Sequence, residues 1–251
     1  MTLRDTLDTT LSAPDPRAGL FTLLSQPSRA LQPLLDLSPS RLAGKRTKDT
    51  LTHSIEVCGK VPPRIRLRWA ALLHDVGKGP TLRIDQGTIT FHHHEAVGQR
   101  LAEKMLRGLG YDSDFCSEVG TLIRLTERIH DVTEWTDSAV RRLDTDAGPL
   151  LEDLLTLVEA DCTSLKERNQ EANRMRVQEI RTRVAEVREK DAEAARRPPL
   201  SGEDVMRLLN LKPSRTVGEA LKFLLENHEG SEPEVATKAL KEWWDGRNPG
   251  S

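Results

Sequence analysis

The stretch LRWAALLHDVGKGP, Leu67 to Pro80, decides how this 251-residue chain is read. Leu67 and Ala71 precede His74 by seven and three residues, which puts the imidazole on the inward face of a helix that also carries Trp69 to Leu73. Asp75 sits one step further round. Adjacent helical residues point about 100° apart. Here, though, Val76-Gly77-Lys78-Gly79-Pro80 ends the helix at once, and at a fraying end both side chains can turn toward one ion. A lone inward histidine is usually a hydrogen-bonded core residue; a His-Asp doublet at a helix end, followed by Gly-Lys, is harder to explain that way.

Outward from this stretch lie a lone His53, the run His92-His93-His94-Glu95 and an isolated Asp161, all spaced along segments with apolar helical faces. Leu150, Leu151, Leu154, Leu157 and Val158 mark a buried stripe, and Asp161 falls three residues beyond Val158 on it. An uncompensated buried carboxylate costs several kcal/mol, so a cation, an arginine or a helix N-terminus must meet it. A metal ion is the preferred partner and a structural salt bridge the alternative. Imidazole and carboxylate suit divalent cations, and such an ion can bring the pKa of a water to about 7, which makes a phosphoester the natural target.

Composition sets the frame. With 37% hydrophobic residues the chain can bury one large core, or a main core with smaller helical attachments. It carries no basic leader with an apolar run and no stretch of about 18 apolar residues, so a cytoplasmic protein without membrane contact is expected. Cys58, Cys116 and Cys162 sit in apolar helical patterns and read as buried free thiols of a reducing compartment. Net charge is −2, but residues 1 to 111 hold 16 basic and 10 acidic side chains against 21 and 29 in the remainder. Arg41, Lys45, Arg46, Lys48, Lys60, Arg64, Arg66, Arg68 and Lys78 cluster around two of the candidate ligands. They either draw in an anionic substrate or form a solvated face.

Apolar residues recur at three- and four-residue steps while aromatic and β-branched runs are scarce, so the fold is expected to be all-α. One short β-hairpin is the exception: within Thr81 to Phe91, Leu82, Ile84, Ile89 and Phe91 alternate across Asp85-Gln86-Gly87. Residues 1–49, interrupted by Pro14, Pro16, Pro27, Pro33 and Pro39, read as an N-terminal helical adapter, and residues 50–165 as the core. A long, charged, largely exposed helix is expected over 166–199. A helical tail over 200–251 follows, with Ser201 and Thr216 as N-caps and Trp243-Trp244 packing within the chain.

LRWAALLHDVGKGP, with LTHSIEV (Leu51 to Val57) before it and ADC (Ala160 to Cys162) after it, resembles the HD-domain metal phosphohydrolase superfamily. The resemblance implies that His53, His74, Asp75 and Asp161 hold a divalent ion (Mg, Mn, Ni or Co) with Lys78 near the substrate phosphate, and that 50–165 is the HD domain. GTITFHHHEAVGQRLAE (Gly87 to Glu103), WTDSAVRRL (Trp135 to Leu143), LLEDLLTLVEADCTS (Leu150 to Ser164) and VGEALKFLLE (Val217 to Glu226) further resemble the C-terminal half of bacterial CCA-adding tRNA nucleotidyltransferases. On that likeness His94 matches the histidine of a Gly-His-Glu motif that contacts phosphate or a second metal. Arg128 and His130 match an Arg-x-His that holds phosphate oxygens. A surface helix pair is the plain alternative for those two.

Two departures matter. Thr126 stands where the family commonly has histidine, which favours one metal over two. The other is that the quoted motifs include no nucleotidyltransferase head; Asp144-Thr145-Asp146 has its letters but follows a helical, Arg-rich stretch, so this chain alone is not expected to add nucleotides. The expected function is a metal-dependent phosphohydrolase for nucleotides or RNA ends, of the 2′,3′-cyclic phosphodiesterase or phosphatase type. Asp75, Lys78, His94 and Arg128 would be its catalytic groups, and Lys78, His94, Arg128 and His130 its substrate contacts. The alternatives are a nucleotidase or dNTP phosphohydrolase, and a tRNA-binding module serving a separate nucleotidyltransferase subunit.

Overall fold

The computed structural model describes residues 1–37, 49–86, 88–131, 134–163 and 166–247. It divides into two compact units, Met1–Val184 and Ala185–Ser251. In chain order the first unit opens with α1 (Leu3–Ser12), α2 (Arg17–Leu24), a short 3-10 turn and α3 (Gln32–Leu35). α4 (Thr50–Lys60), α5 (Ile65–Leu73) and α6 (Lys78–Thr81) come next, followed by the hairpin β1 (Arg83–Asp85) and β2 (Thr88–Thr90). α7 (His94–Gly108), α8 (Ser113–Asp131), α9 (Asp137–Ala147) and α10 (Leu151–Asp161) complete the core before the long α11 (Glu167–Ala195), inside which the boundary between the units falls. The second unit continues with α12 (Gly202–Leu209), α13 (Arg215–His228) and α14 (Pro233–Arg247). The fold is all-α with one antiparallel hairpin, in which Arg83 pairs with Thr90 and Asp85 with Thr88. Among the described residues no helix is long and apolar enough to cross a membrane.

α5 is the centre of the first unit. Every residue from Leu67 to Leu73 is buried, as befits a helix packed on all sides, here by α1, α4, α8 and α10. Each of its buried large apolar side chains contributes on the order of 1.5–3 kcal/mol. Polar tethers fix its rotation: Trp69 Nε1 donates to Tyr111 Oη at 2.9 Å, and the Tyr111 hydroxyl donates to Asp8 on α1. Arg68, expected with the surface basic cluster, is instead 1% exposed; its guanidinium donates to the carbonyls of Pro62 (3.1 Å) and Pro14 (3.3 Å), which ties the α1–α2 turn to the core.

The other described members of that cluster are each engaged. Arg64 pairs with Asp153, Arg66 with Glu118 and Lys78 with Asp75, while Lys60 donates to the Cys162 carbonyl. Arg41, Lys45, Arg46 and Lys48 lie outside the described residues. Cys58 and Cys116 are buried free thiols as expected, whereas Cys162 is half-buried because α10 stops at Asp161, sooner than its apolar stripe suggests.

In the second unit Leu200, Val205, Val217, Ala220, Leu224, Ala236 and Leu240 form a small core. Trp243 closes it, stacked on Phe223 with ring centroids 5.5 Å apart. Ser201 caps α12 with a capping box completed by Asp204. Thr216 is not a cap: α13 starts one residue earlier, after Ser214.

Candidate metal centre

Three helix ends converge. Asp49 caps α4 by accepting from the Leu51 N–H at 3.2 Å, which sets His53 in the first turns of that helix. His74 is the C-cap of α5 with Asp75 next to it, and Asp161 is the last residue of α10. Nε2 of His53 lies 2.8 Å from Oδ1 of Asp161 and 4.0 Å from Oδ2 of Asp75. Nε2 of His74 lies 3.5 Å from Oδ1 of Asp75 and 3.3 Å from Oδ1 of Asp161. The two imidazoles meet edge to face, centroids 5.2 Å apart. The sequence-predicted quartet is therefore brought together from positions more than a hundred residues apart.

The far ring nitrogens are occupied. Nδ1 of His74 donates to the Ala71 carbonyl at 2.9 Å, and Nδ1 of His53 pairs with the Thr163 hydroxyl at 3.1 Å. Such contacts fix tautomer and ring orientation and leave Nε2 to face the ion, the usual supporting arrangement of a histidine ligand. The Nε2 of His74 is buried and forms no hydrogen bond, in spite of two carboxylates within 3.5 Å. A buried polar atom left so is costly. A divalent cation among two imidazoles and two carboxylates would satisfy it, and His53, His74 and Asp75 each offer an atom within 4.8 Å of the others.

The electrostatics agree with a cation site. Burial works against a proton on His74, but the carboxylates of Asp75 and Asp161 outweigh it and raise the pKa to about 9. Burial likewise opposes ionisation of Asp75, yet His74 and Lys78 hold its carboxyl below the usual range. The Lys78 ammonium sits 2.7 and 2.8 Å from the two Asp75 oxygens.

Beyond Lys78 lies His94. Lys78 Nζ is 5.9 Å from the Phe91 ring centre, and that ring meets His94 edge-on at 6.5 Å. The close fit here depends on Gly77: a Cβ on it would stand 1.9 Å from the His94 carbonyl oxygen and 2.7 Å from the Gly98 nitrogen. His94 Nδ1 donates to the Phe91 carbonyl at 3.0 Å and Nε2 lies 3.6 Å from Glu127. Burial lowers the His94 pKa, but Glu127 and the Phe91 carbonyl outweigh it, so the net shift is upward. His92 and His93 are exposed.

Thr126 is buried on α8, its hydroxyl donating to the Leu122 carbonyl at 2.8 Å. Arg128 lines a cleft of about 380 Å³ together with Glu95, Thr121, Arg124, Glu127 and Asp146, but its guanidinium is paired with Asp146. His130 lies on α8, with its side chain outside the described residues. Glu127 and Thr163 are the contacts sequence reasoning passed over, although Thr163 stands two residues after Asp161.

The family model for the HD domain matches residues 47–197, which spans all four residues of this centre. The chain belongs to the HD-domain family. Curated relatives narrow the neighbourhood of this HD-domain protein. It is 33% identical over 269 aligned positions to the A-adding tRNA nucleotidyltransferase of Deinococcus radiodurans, covering 99% of this chain and 59% of that protein. It is 36% identical over 198 positions to the CC-adding tRNA nucleotidyltransferase of Thermus thermophilus, covering 78% of this chain and 42% of that protein. The HD-domain chain thus spans roughly half the length of the relatives it matches.

Proposed function

We propose that this HD-domain chain is a metal-dependent phosphohydrolase for RNA-end or nucleotide phosphoesters, of the 2′,3′-cyclic phosphodiesterase or phosphatase type, connected with tRNA 3′ ends. The observation that carries the reading is the convergence of the His53 and His74 imidazoles with the Asp75 and Asp161 carboxylates, the Nε2 of His74 being buried between both carboxylates. The tRNA connection rests on the relatives, both of which are tRNA nucleotidyltransferases by name.

In this reading His53, His74, Asp75 and Asp161 hold one divalent ion, of the Mg, Mn, Ni or Co class. When bound, such an ion polarises a phosphate oxygen and lowers the pKa of a water to about 7. Thr126, whose hydroxyl is engaged by the backbone, offers no second ligand, so one ion is proposed. Asp75 orients the attacking water, and Lys78, held against Asp75, offsets charge building on the phosphoryl oxygens. His94, whose upward-shifted pKa favours the imidazolium, holds the proton for the leaving oxygen.

The test is metal analysis of the purified protein, then assays with 2′,3′-cyclic AMP, nucleoside monophosphates and dNTPs under added Mg²⁺, Mn²⁺, Ni²⁺ or Co²⁺. Asp75→Ala is expected to lose the ion and lower turnover about 10³-fold while helical circular dichroism stays unchanged. Absence of turnover in the wild type with every substrate and ion overturns the proposal in favour of an RNA-binding role. Turnover of dNTPs alone replaces the RNA-end substrate with a free nucleotide.

A further inference from the structure

The candidate metal centre has a second side, on which most residues lie outside the quoted motifs. Asp161 forms one wall of a pocket of about 360 Å³, whose other lining residues are Cys162, Asn169, Ala172, Asn173 and Arg176. That volume is in the range that takes a single nucleotide-sized ligand. Asn169, Ala172, Asn173 and Arg176 recur at three- and four-residue steps and so form one stripe of α11. The next positions of that stripe, Val177, Ile180 and Val184, are buried and apolar. The inward face of the helix therefore turns polar where it passes the metal ligand.

Two residues of the polar part have distinct surroundings. Asn173 donates from Nδ2 to the carbonyls of Val158 (3.1 Å) and Glu159 (3.2 Å), acceptors left open at the end of α10. It thereby fixes the last turn that presents Asp161 and acts as a positioning residue. Arg176 is exposed and, among the described residues, has no ion pair. Its neighbours on the helix do: Arg174 pairs with Glu171, Arg181 with Glu152 and Glu159, and Arg183 with Asp137. An arginine kept unneutralised on the wall of a pocket beside a metal ligand suits an anion, and its planar fork matches phosphate oxygens.

We propose that this pocket binds the nucleotide preceding the scissile phosphate, with Arg176 taking the phosphodiester that joins it to the chain, so that the enzyme selects an oligoribonucleotide end over a mononucleotide. The inference deepens the phosphohydrolase reading and rests on it for the position of the scissile group.

The experiment measures binding as well as rate. Metal-loaded protein is titrated with a fluorescein-labelled adenosine trinucleotide bearing a 3′-terminal phosphate and, by competition, with adenosine 3′-monophosphate. The wild type is expected to bind the trinucleotide at least tenfold more tightly, a gap of about 1.4 kcal/mol. Arg176→Gln should close that gap, Arg176→Lys should restore part of it, and Arg168→Gln, elsewhere on the same helix, should leave it open. Metal content and circular dichroism should be the same in all of them. No preference in the wild type, an unchanged gap in Arg176→Gln, or an equal loss in Arg168→Gln overturns the proposal. Arg176-dependent binding without turnover supports the pocket and sinks the hydrolase reading; turnover with an indifferent Arg176 does the reverse.

Discussion

Two clefts lie beside the candidate site: one is lined by Glu127, whose carboxylate is 3.6 Å from His94, and holds Arg124 and Arg128; the other lies against Asp161 and holds Arg176. In the first, Arg128 is paired with Asp146, and Glu95 and Glu127 line the same wall. In the second, Arg176 has no ion pair among the described residues and shares its pocket with two asparagines. Arg128 lies in a recognisable motif and Arg176 in a stretch of charged helix without one. Neutralisation by neighbours, rather than membership of a motif, decides which cation is available to an anion. Because the Arg128–Asp146 pair is partly exposed, it adds little stability. Its effect is to occupy the guanidinium.

The sharpest break in this comparison comes from Lys78, whose ammonium contacts both oxygens of Asp75, a proposed metal ligand. Lys78→Met is expected to lower kcat about 10²-fold while the bound ion is retained, as measured by steady-state kinetics and metal analysis on the same preparation. A loss of the ion instead would make Lys78 a brace for Asp75 and no more.

A pH series separates the centre itself from both clefts. Metal binding requires a neutral imidazole, and His74 holds its proton up to about pH 9 without the ion. Metal affinity is therefore expected to rise about tenfold per pH unit and to level off above that value, followed by calorimetry. The sign for stability is opposite. Because the folded pKa lies above the ordinary 6.5, the metal-free protein has the full contribution of charged His74 below 6.5 and loses it as pH climbs toward about 9. Thermal melts of metal-free protein should fall across that window, and melts of metal-loaded protein should not. The smallest effect concerns the first cleft: Asp146→Asn frees Arg128 and should tighten trinucleotide binding by up to about fivefold, read by fluorescence anisotropy. No change would show that Arg128 does not reach the ligand even when released.

Much of the fold follows from periodicity alone. Helices form around His53, His74 and Asp161, where apolar stripes place them, because those stripes are what the core buries. The hairpin is legible from its alternation. His74 and Asp161 stand out in the sequence as polar residues on inward faces, a conflict that only a partner resolves, while the full quartet is what the HD resemblance implies. What could not be read depends on residues remote in sequence. Arg128 is taken out of play by Asp146, 18 positions later and on another helix. Arg68 looks like a surface charge until Pro14 and Pro62 are folded around it. The polar stripe on α11 is invisible as a feature until α10 is seen to end against it.

The tight contact at Gly77 has one more implication. With the backbone of the His74-Asp75 corner seated directly on the first turn of α7, the spacing between carboxylate and His94 is set when the protein folds and does not wait for substrate. That half of the cleft behaves as an anvil. Whatever accommodation a longer RNA end demands falls to the side of α11, where the exposed Arg176 is at liberty to swing while Asn173 keeps hold of the turn that presents Asp161.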